Sequence, residues 1–185
     1  MEKILEKIEE LIEKECKSGF APEWFFEAHI LAVKKYADFL LEKLPEANKD
    51  VVLLGVWLHD LQRIRGIEGD HQKIGAEEAE KVMQSLEIDK NISDQVKQII
   101  LTHSCSNELP ITLEGKILAS ADAMSHYIND FYLQIMLTRD RNLRQYKEWA
   151  LEKLDRDFEK KIFFDFAKEE IKERHDALKK IFTMS

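Results

Sequence analysis

From Val51 to Leu58 the chain reads Val-Val-Leu-Leu-Gly-Val-Trp-Leu, without one charged side chain, and the run closes on His59 and Asp60. A helix that is apolar nearly all round belongs at the centre of a fold, covered by other helices on every side. This one is expected from about Asp50 to Arg63. It is far shorter than the roughly 20 residues that cross a bilayer and Gly55 interrupts it, so neither it nor any other segment is expected to span a membrane. Its polar end is conspicuous, because a carboxylate that closes a buried helix needs a strong partner, either a metal ion or an ion pair with Arg63.

The rest of the chain supplies the cover. Only 6 Gly and 3 Pro punctuate 185 residues, and apolar side chains recur at helical spacing through most of it, so the expected class is all-α with short loops. The first helix carries the stripe Ile4, Leu5, Ile8, Leu11 and Ile12 and should end near Ser18-Gly19, the glycine taking the left-handed position past the helix end. A second follows Pro22 and runs to about Leu44, where Pro45 stops it. Asp70 stands as the N-cap of a helix reaching about Leu86, another is expected from Ser93 to about His103, and a further one from near Leu113. After Tyr127 the pattern stays helical but dense in charge, with Phe158, Ile162, Phe163 and Phe166 reading as a core stripe. No linker or repeat divides the chain, so residues 1–185 are expected to form a single helical domain, with helices of about 128–185 packed on the preceding ones.

Charge and cysteine usage narrow the class. Lys plus Arg number 28 against 36 Asp plus Glu, a net charge of -8, so a broad electrostatic footprint for duplex nucleic acid is not expected and a small phosphorylated substrate is the better fit. A few aimed cations or metal ions can still bind phosphate in a desolvated site. Cys16 and Cys105 are too few for a disulfide framework, and no charged-then-apolar leader opens the sequence, which points to the cytoplasm. Oligomeric state is not readable.

Five of the six histidines stand in or beside apolar segments, at positions 29, 59, 71, 103 and 126, and Asp122 follows a run that reads as buried. Imidazole with carboxylate is a ligand set for first-row transition metals, whereas Mg²⁺ or Ca²⁺ alone would call mainly for oxygen. His29, His59-Asp60, His71, His103 and Asp122 each fall at the end or inner face of a different expected helix, the way ligands project into a helical bundle.

This order resembles the HD superfamily of metal-dependent phosphohydrolases, the likeness resting on His29, on Val56-Trp57-Leu58-His59-Asp60 and on Ala119-Ser120-Ala121-Asp122. Asp70-His71-Gln72-Lys73-Ile74-Gly75-Ala76 and Gln98-Ile99-Ile100-Leu101-Thr102-His103-Ser104 extend it to the subgroup with two additional histidines, over about Phe26 to Tyr127. The resemblance implies a compact HD-domain bundle with additional C-terminal helices. It implies that His29, His59, Asp60 and Asp122 hold one ion, and His71, His103 and a bridging Asp60 a second. The cofactors so implied are one or two divalent transition-metal ions, Fe, Mn, Zn, Co or Ni. The implied reaction is hydrolysis of a phosphate ester or anhydride, expected in a nucleotide, by metal-activated water. The Gly-Tyr-Pro motif and doubled late histidine of the cyclic dinucleotide phosphodiesterases in this superfamily are absent. Two other readings stay open: a di-iron oxygenase built on the same ligands, and a non-catalytic nucleotide-binding regulatory module.

Around the ligands, Arg63 lies four residues after His59 and could grip a phosphate or form a salt bridge. Lys73 could point into the cleft or away from it. His126, one turn after Asp122, is a candidate proton donor or a support to the ligands. Each ligand also has a plainer reading: His71 could help open its helix, and His103 could be a cation placed at a helix C-terminus. His175, within Lys-Glu-Arg-His-Asp, reads as solvated, and Arg139, Arg141 and Arg144 as a charged face that could steer an anion. Trp24, Trp57 and Trp149 read as packing.

Overall fold

A computed structural model describes residues 1–128, 130–138 and 142–184, and among them it is all-α, with no strand. The helices are α1 (Glu2–Ser18), α2 (Leu31–Lys43), α3 (Lys49–Leu58), α4 (Leu61–Ile64), α5 (His71–Ser85), α6 (Lys90–Thr102), α7 (Leu113–Ser125), α8 (Phe131–Thr138), α9 (Leu143–Arg156) and α10 (Asp165–Thr183). Two π-helical turns, Phe26–Ile30 and Asp157–Lys161, interrupt this series.

The apolar run is the central helix. Every residue from Val51 to Leu58 is buried, and α3 packs against α1, α2, α6 and α7. Asn48 starts it by accepting a hydrogen bond from the Val51 amide. Gly55 lets its neighbours come close: a Cβ there would stand 2.6 Å from Ile99 Cδ1 and 3.2 Å from Leu118 Cδ2. The expected continuation to Arg63 is broken, because α3 stops at Leu58 and α4 begins at Leu61. Consecutive residues of an unbroken helix point about 100° apart. Ending α3 there lets His59 and Asp60 face one centre.

Other boundaries follow local chemistry. Asp70 caps α5 through the Lys73 amide at 2.9 Å, as its position implies. Asp89 accepts from the Asn91 and Ile92 amides, so α6 starts at Lys90 rather than Ser93. The segment after Pro22 enters α2 through a π-helical turn instead of a regular first turn. Gly19 is extended, not left-handed, with φ -101 and ψ -153. What requires glycine there is close approach, since a Cβ would lie 2.5 Å from Glu15 O and 2.8 Å from Ile64 O.

One apolar core runs from Ile8 in α1 to Phe182 in α10. The C-terminal helices join it through Tyr132, Tyr146 and Phe182, the Tyr146 hydroxyl donating to Tyr132 O, and the Asp157–Lys161 turn packs on α7. Within the expected stripe, Ile162 is buried and Phe158 and Phe163 half-buried, but Phe166 is exposed, stacked against Phe164 at the edge of the core. His175 corrects its sequence reading. It is buried, its ring 4.3 Å from that of Phe158 in a stacked pair, because α10 turns this position onto the Asp157–Lys161 turn while its charged neighbours face outward. No helix among the described residues is long and apolar enough to cross a membrane.

Candidate metal centre

Five elements bring the ligand candidates to one place. His29 lies in the π-helical turn ahead of α2, His59 and Asp60 in the break between α3 and α4, His71 at the first position of α5, His103 just past α6, and Asp122 on α7. A π-helical turn is rare and often marks a functional site, and here it sets His29 against Asp60. All six are buried except His71, which is partly so. They fall into two groups, His29 with His59 and Asp122, and Asp60 with His71 and His103, the ligand atoms within each group lying within 4.8 Å of one another. Asp60 stands between them: its Oδ2 is 3.1 Å from His29 Nε2 and 3.5 Å from His59 Nε2, and its Oδ1 is 3.1 Å from His71 Nε2.

The hydrogen bonds on the far sides of the rings fix which nitrogen faces inward. His59 Nδ1 donates to Val56 O at 2.8 Å and His103 Nδ1 to Ile100 O at 2.6 Å. The Ser125 hydroxyl gives its proton to Asp122 O at 2.7 Å, so it accepts from His29 Nδ1 at 3.1 Å. His71 Nδ1 donates to Gln62 Oε1 at 3.1 Å. The Nε2 atoms are thereby left as bare lone pairs, the tautomer a metal ligand needs. Burial keeps the His59 and His103 rings neutral: it lowers the His59 pKa and pushes that of His103 down to about 3.

The carboxylates complete the set. Burial alone would raise Asp60, but other groups, the Arg63 guanidinium first among them, outweigh it and hold the carboxyl well below the usual carboxylate range. Asp122 is held down in the same way against burial, first by Lys161 and then by His126. Imidazole lone pairs therefore converge on ionised carboxylates, acceptor against acceptor, and His59 Nε2 and His71 Nε2 are buried with no hydrogen-bond partner. Such an arrangement is costly unless a cation sits among the groups, and nitrogen with carboxylate oxygen fits a divalent transition-metal ion.

The other residues singled out from sequence divide. Arg63 Nε is 3.2 Å from Asp60 Oδ1 and 3.4 Å from His71 Nδ1, with half its side chain exposed, so it is an ion-pair partner that also reaches the cavity. Lys73 is exposed and stands away from that cavity, two residues and hence about 200° around α5 from His71. His126 is buried just past α7, its Nε2 3.6 Å from Asp122 Oδ1 and its Nδ1 donating to Asp157 Oδ2 at 2.8 Å. Trp57 is core, whereas Trp24 and Trp149 line the cavity. Arg139 and Arg141 lie outside the described residues, and Arg144 is exposed and paired with Glu148.

A second set was not read from the sequence. Lys161 Nζ is 2.5 Å from Asp122 Oδ2, and Lys153 Nζ is 2.7 Å from Asp157 Oδ2, in both cases with the partners buried. Arg156 adds a 3.2 Å contact to Asp157 Oδ1. Ser120 pins the Lys161 turn to α7 by accepting from the Phe163 amide at 3.0 Å. The missed signal was spacing. Lys153, Asp157 and Lys161 recur every four residues, continuous with Tyr146, Ala150 and Leu154 on the buried face of α9.

These groups enclose a cavity of about 270 Å³. Arg63, Lys153, Arg156 and Lys161 line it against the carboxylates Asp60 and Asp122, with Trp24, Phe131 and Trp149 alongside. A more open groove, holding His71, Gln62 and Gly66, shares Arg63, Trp24 and Phe25 with it.

Among curated proteins the chain is similar to the 3'-5' exoribonuclease YhaM of Listeria welshimeri, 27% identical over 119 residues, and of Listeria innocua, 26% identical over the same length. Each match takes in 55% of this chain and 38% of the relative, so the chain spans well under half of these proteins. No solved structure matches it significantly. The family model for the HD domain matches residues 26–126, from the π-helical turn that carries His29 to His126, and on that match, which takes in more than half of its length, the chain belongs to the HD-domain family.

Proposed function

We propose that the protein is a metal-dependent phosphohydrolase that uses water to cleave a phosphate ester or anhydride of a nucleotide or of an RNA end. The observation that carries this is the pair of ligand groups, with Asp60 at their junction, beside a cavity lined by four cations. A divalent ion in either group would supply a Lewis acid for phosphoryl oxygens and would lower the pKa of a bound water toward about 7. His29, His59 and Asp122 would hold one ion, and Asp60, His71 and His103 a second, with Asp60 facing both.

The chain's own groups do the rest. Arg63, at the boundary of cavity and groove, presents a guanidinium that can grip phosphoryl oxygens. His126 keeps its proton on Nδ1 against Asp157 and offers Nε2 as an acceptor beside Asp122, where it can orient a water. Burial, and then Lys153, push His126 down to about 3, so it is neutral and able to accept at pH 7. Lys73 takes no part. The name of the relatives supports a nucleic acid or nucleotide substrate, and a net charge of -8 is no argument against an RNA end.

Asp60→Ala should lose bound metal and phosphate release together while the far-UV spectrum stays helical. Unchanged metal content by elemental analysis would overturn the assignment. His71→Ala and His103→Ala should lower the stoichiometry from about two ions to one if both groups are filled. Substrate loss that requires oxygen, with no phosphate released under anaerobic conditions, would replace hydrolysis by oxygenase chemistry. Nucleotide binding without turnover would leave a regulatory module.

A further inference from the structure

The ligand groups account for part of the cavity lining; three of the cations that line it with them belong to no ligand set. Lys153, Arg156 and Lys161 come from the end of α9 and the π-helical turn after it, outside the segment that matches the HD-domain model. Lys153 and Lys161 are 9% and 4% exposed, which is costly for ammonium groups unless they are paired and used. Pairing leaves a surplus. Asp157 faces Lys153, Arg156 and the His126 ring, while Lys161 takes the Asp122 oxygen turned away from the histidines. Asp157, with none of its side chain exposed, anchors this wall from behind. Arg156 is 54% exposed at the cavity lining and can swing toward a ligand.

We propose that Lys153, Arg156 and Lys161 form a recognition wall for the unesterified oxygens of a terminal phosphate, so that the substrate is a phosphomonoester rather than an internal diester. This rests on the phosphohydrolase reading and deepens it. Two observations carry it, the three further cations that line the cavity with the ligand groups and the small size of that space. A phosphomonoester carries about -1.5 to -2 charge near pH 7 and three acceptor oxygens, a better match than a diester to several cations. At about 270 Å³ the cavity is of a size for one end of a substrate, and the groove that shares Arg63, Trp24 and Phe25 with it leaves room for the rest. Trp24 and Trp149 give the adjoining group flat apolar surfaces, as a nucleoside would use.

The test is calorimetric titration of the manganese-loaded full chain with inorganic phosphate and, separately, with dimethyl phosphate. Phosphate should bind at least about tenfold more tightly than the diester. Arg156→Gln, at a half-exposed position that should not disturb folding, should weaken phosphate about tenfold with metal content and dimethyl phosphate affinity unchanged, and Arg156→Lys should restore most of the loss. Equal binding of the two probes, or phosphate affinity in Arg156→Gln within about twofold of wild type, would overturn the proposal. Hydrolysis of diesters by a protein that fails this titration would leave the phosphohydrolase reading standing alone. The predicted discrimination in a protein that hydrolyses no phosphate ester would do the reverse.

Discussion

Replacing Asp157 by Asn tests whether the C-terminal helices complete the site or merely cover it. Asp157 Oδ2 accepts from Lys153 Nζ at 2.7 Å and from His126 Nδ1 at 2.8 Å, and Oδ1 takes Arg156 at 3.2 Å. Its side chain is fully buried. Breaking a buried pair by removing one partner costs about 3–5 kcal/mol, because the remaining charge is left uncompensated. Arg156 is half exposed, so its share is small, about 0–1 kcal/mol. Asn still accepts one hydrogen bond where the carboxylate stood. Both effects place the expected loss near the lower bound, about 3 kcal/mol. Urea denaturation should read this as a lower midpoint with an unchanged slope.

The pH dependence of that loss has a definite sign. Burial alone would raise the Asp157 pKa, but Lys153 and His126 outweigh it and hold the folded value below 3.8. A carboxylate depressed in the folded state contributes stability that is full above its unfolded pKa and lost as pH falls toward the folded one. The gap between wild type and Asp157→Asn should therefore be flat from about pH 5 to about pH 8 and narrow below about pH 4. Removing Lys153 should cost far less in the Asn background than in wild type. A loss under about 1 kcal/mol, or no coupling with Lys153, would refute the account of a buried, tightly paired carboxylate. Metal content should not change, since none of the six candidate ligands is touched.

Two further outcomes test the packing. Gly55→Ala should lower the urea midpoint: the helix preference for alanine returns about 1 kcal/mol, while forcing a Cβ to 2.6 Å from Ile99 costs about 1–3 kcal/mol, so a more stable variant would show that Ile99 rotates freely aside. Cys16 is buried and its thiol pushed up to about 12, chiefly by burial and then by Asp60, so it should resist alkylation at pH 8 until the chain unfolds, and rapid native labelling checked by mass spectrometry would contradict the packing of α1.

His59, Asp60 and Asp122 were legible because each is a polar residue where the pattern calls for an apolar one. His59 and Asp60 follow the central run, and Asp122 sits within Ala-Ser-Ala and Ala-Met. What periodicity could not show is the break at Asp60, since no Gly or Pro marks it, or the two π-helical turns, which leave the spacing of apolar residues intact. Lys153, Asp157 and Lys161 were hidden for the opposite reason. In a chain with 35% charged residues, and in a segment reading Glu-Lys-Leu-Asp-Arg-Asp-Phe-Glu-Lys-Lys, three buried charges look like their solvated neighbours. His175 misled in the same way, its burial set by Phe158 across the helix pair and not by adjacent residues.

That contrast bears on where specificity resides. All six ligand candidates lie within residues 26–126, the segment shared with the family, and every cation that lines the cavity except Arg63 comes from residues beyond it. A ligand set fixes what chemistry can be done at phosphorus; the shape and charge facing it fix which phosphate is admitted. The two parts are tied at single contacts, Lys161 to Asp122 and Asp157 to His126, so a change in the C-terminal helices reaches the ligands through two residues. Relatives that share the ligands but not these helices are expected to share hydrolysis and differ in substrate, because the further cations that line the cavity are not in the part they have in common.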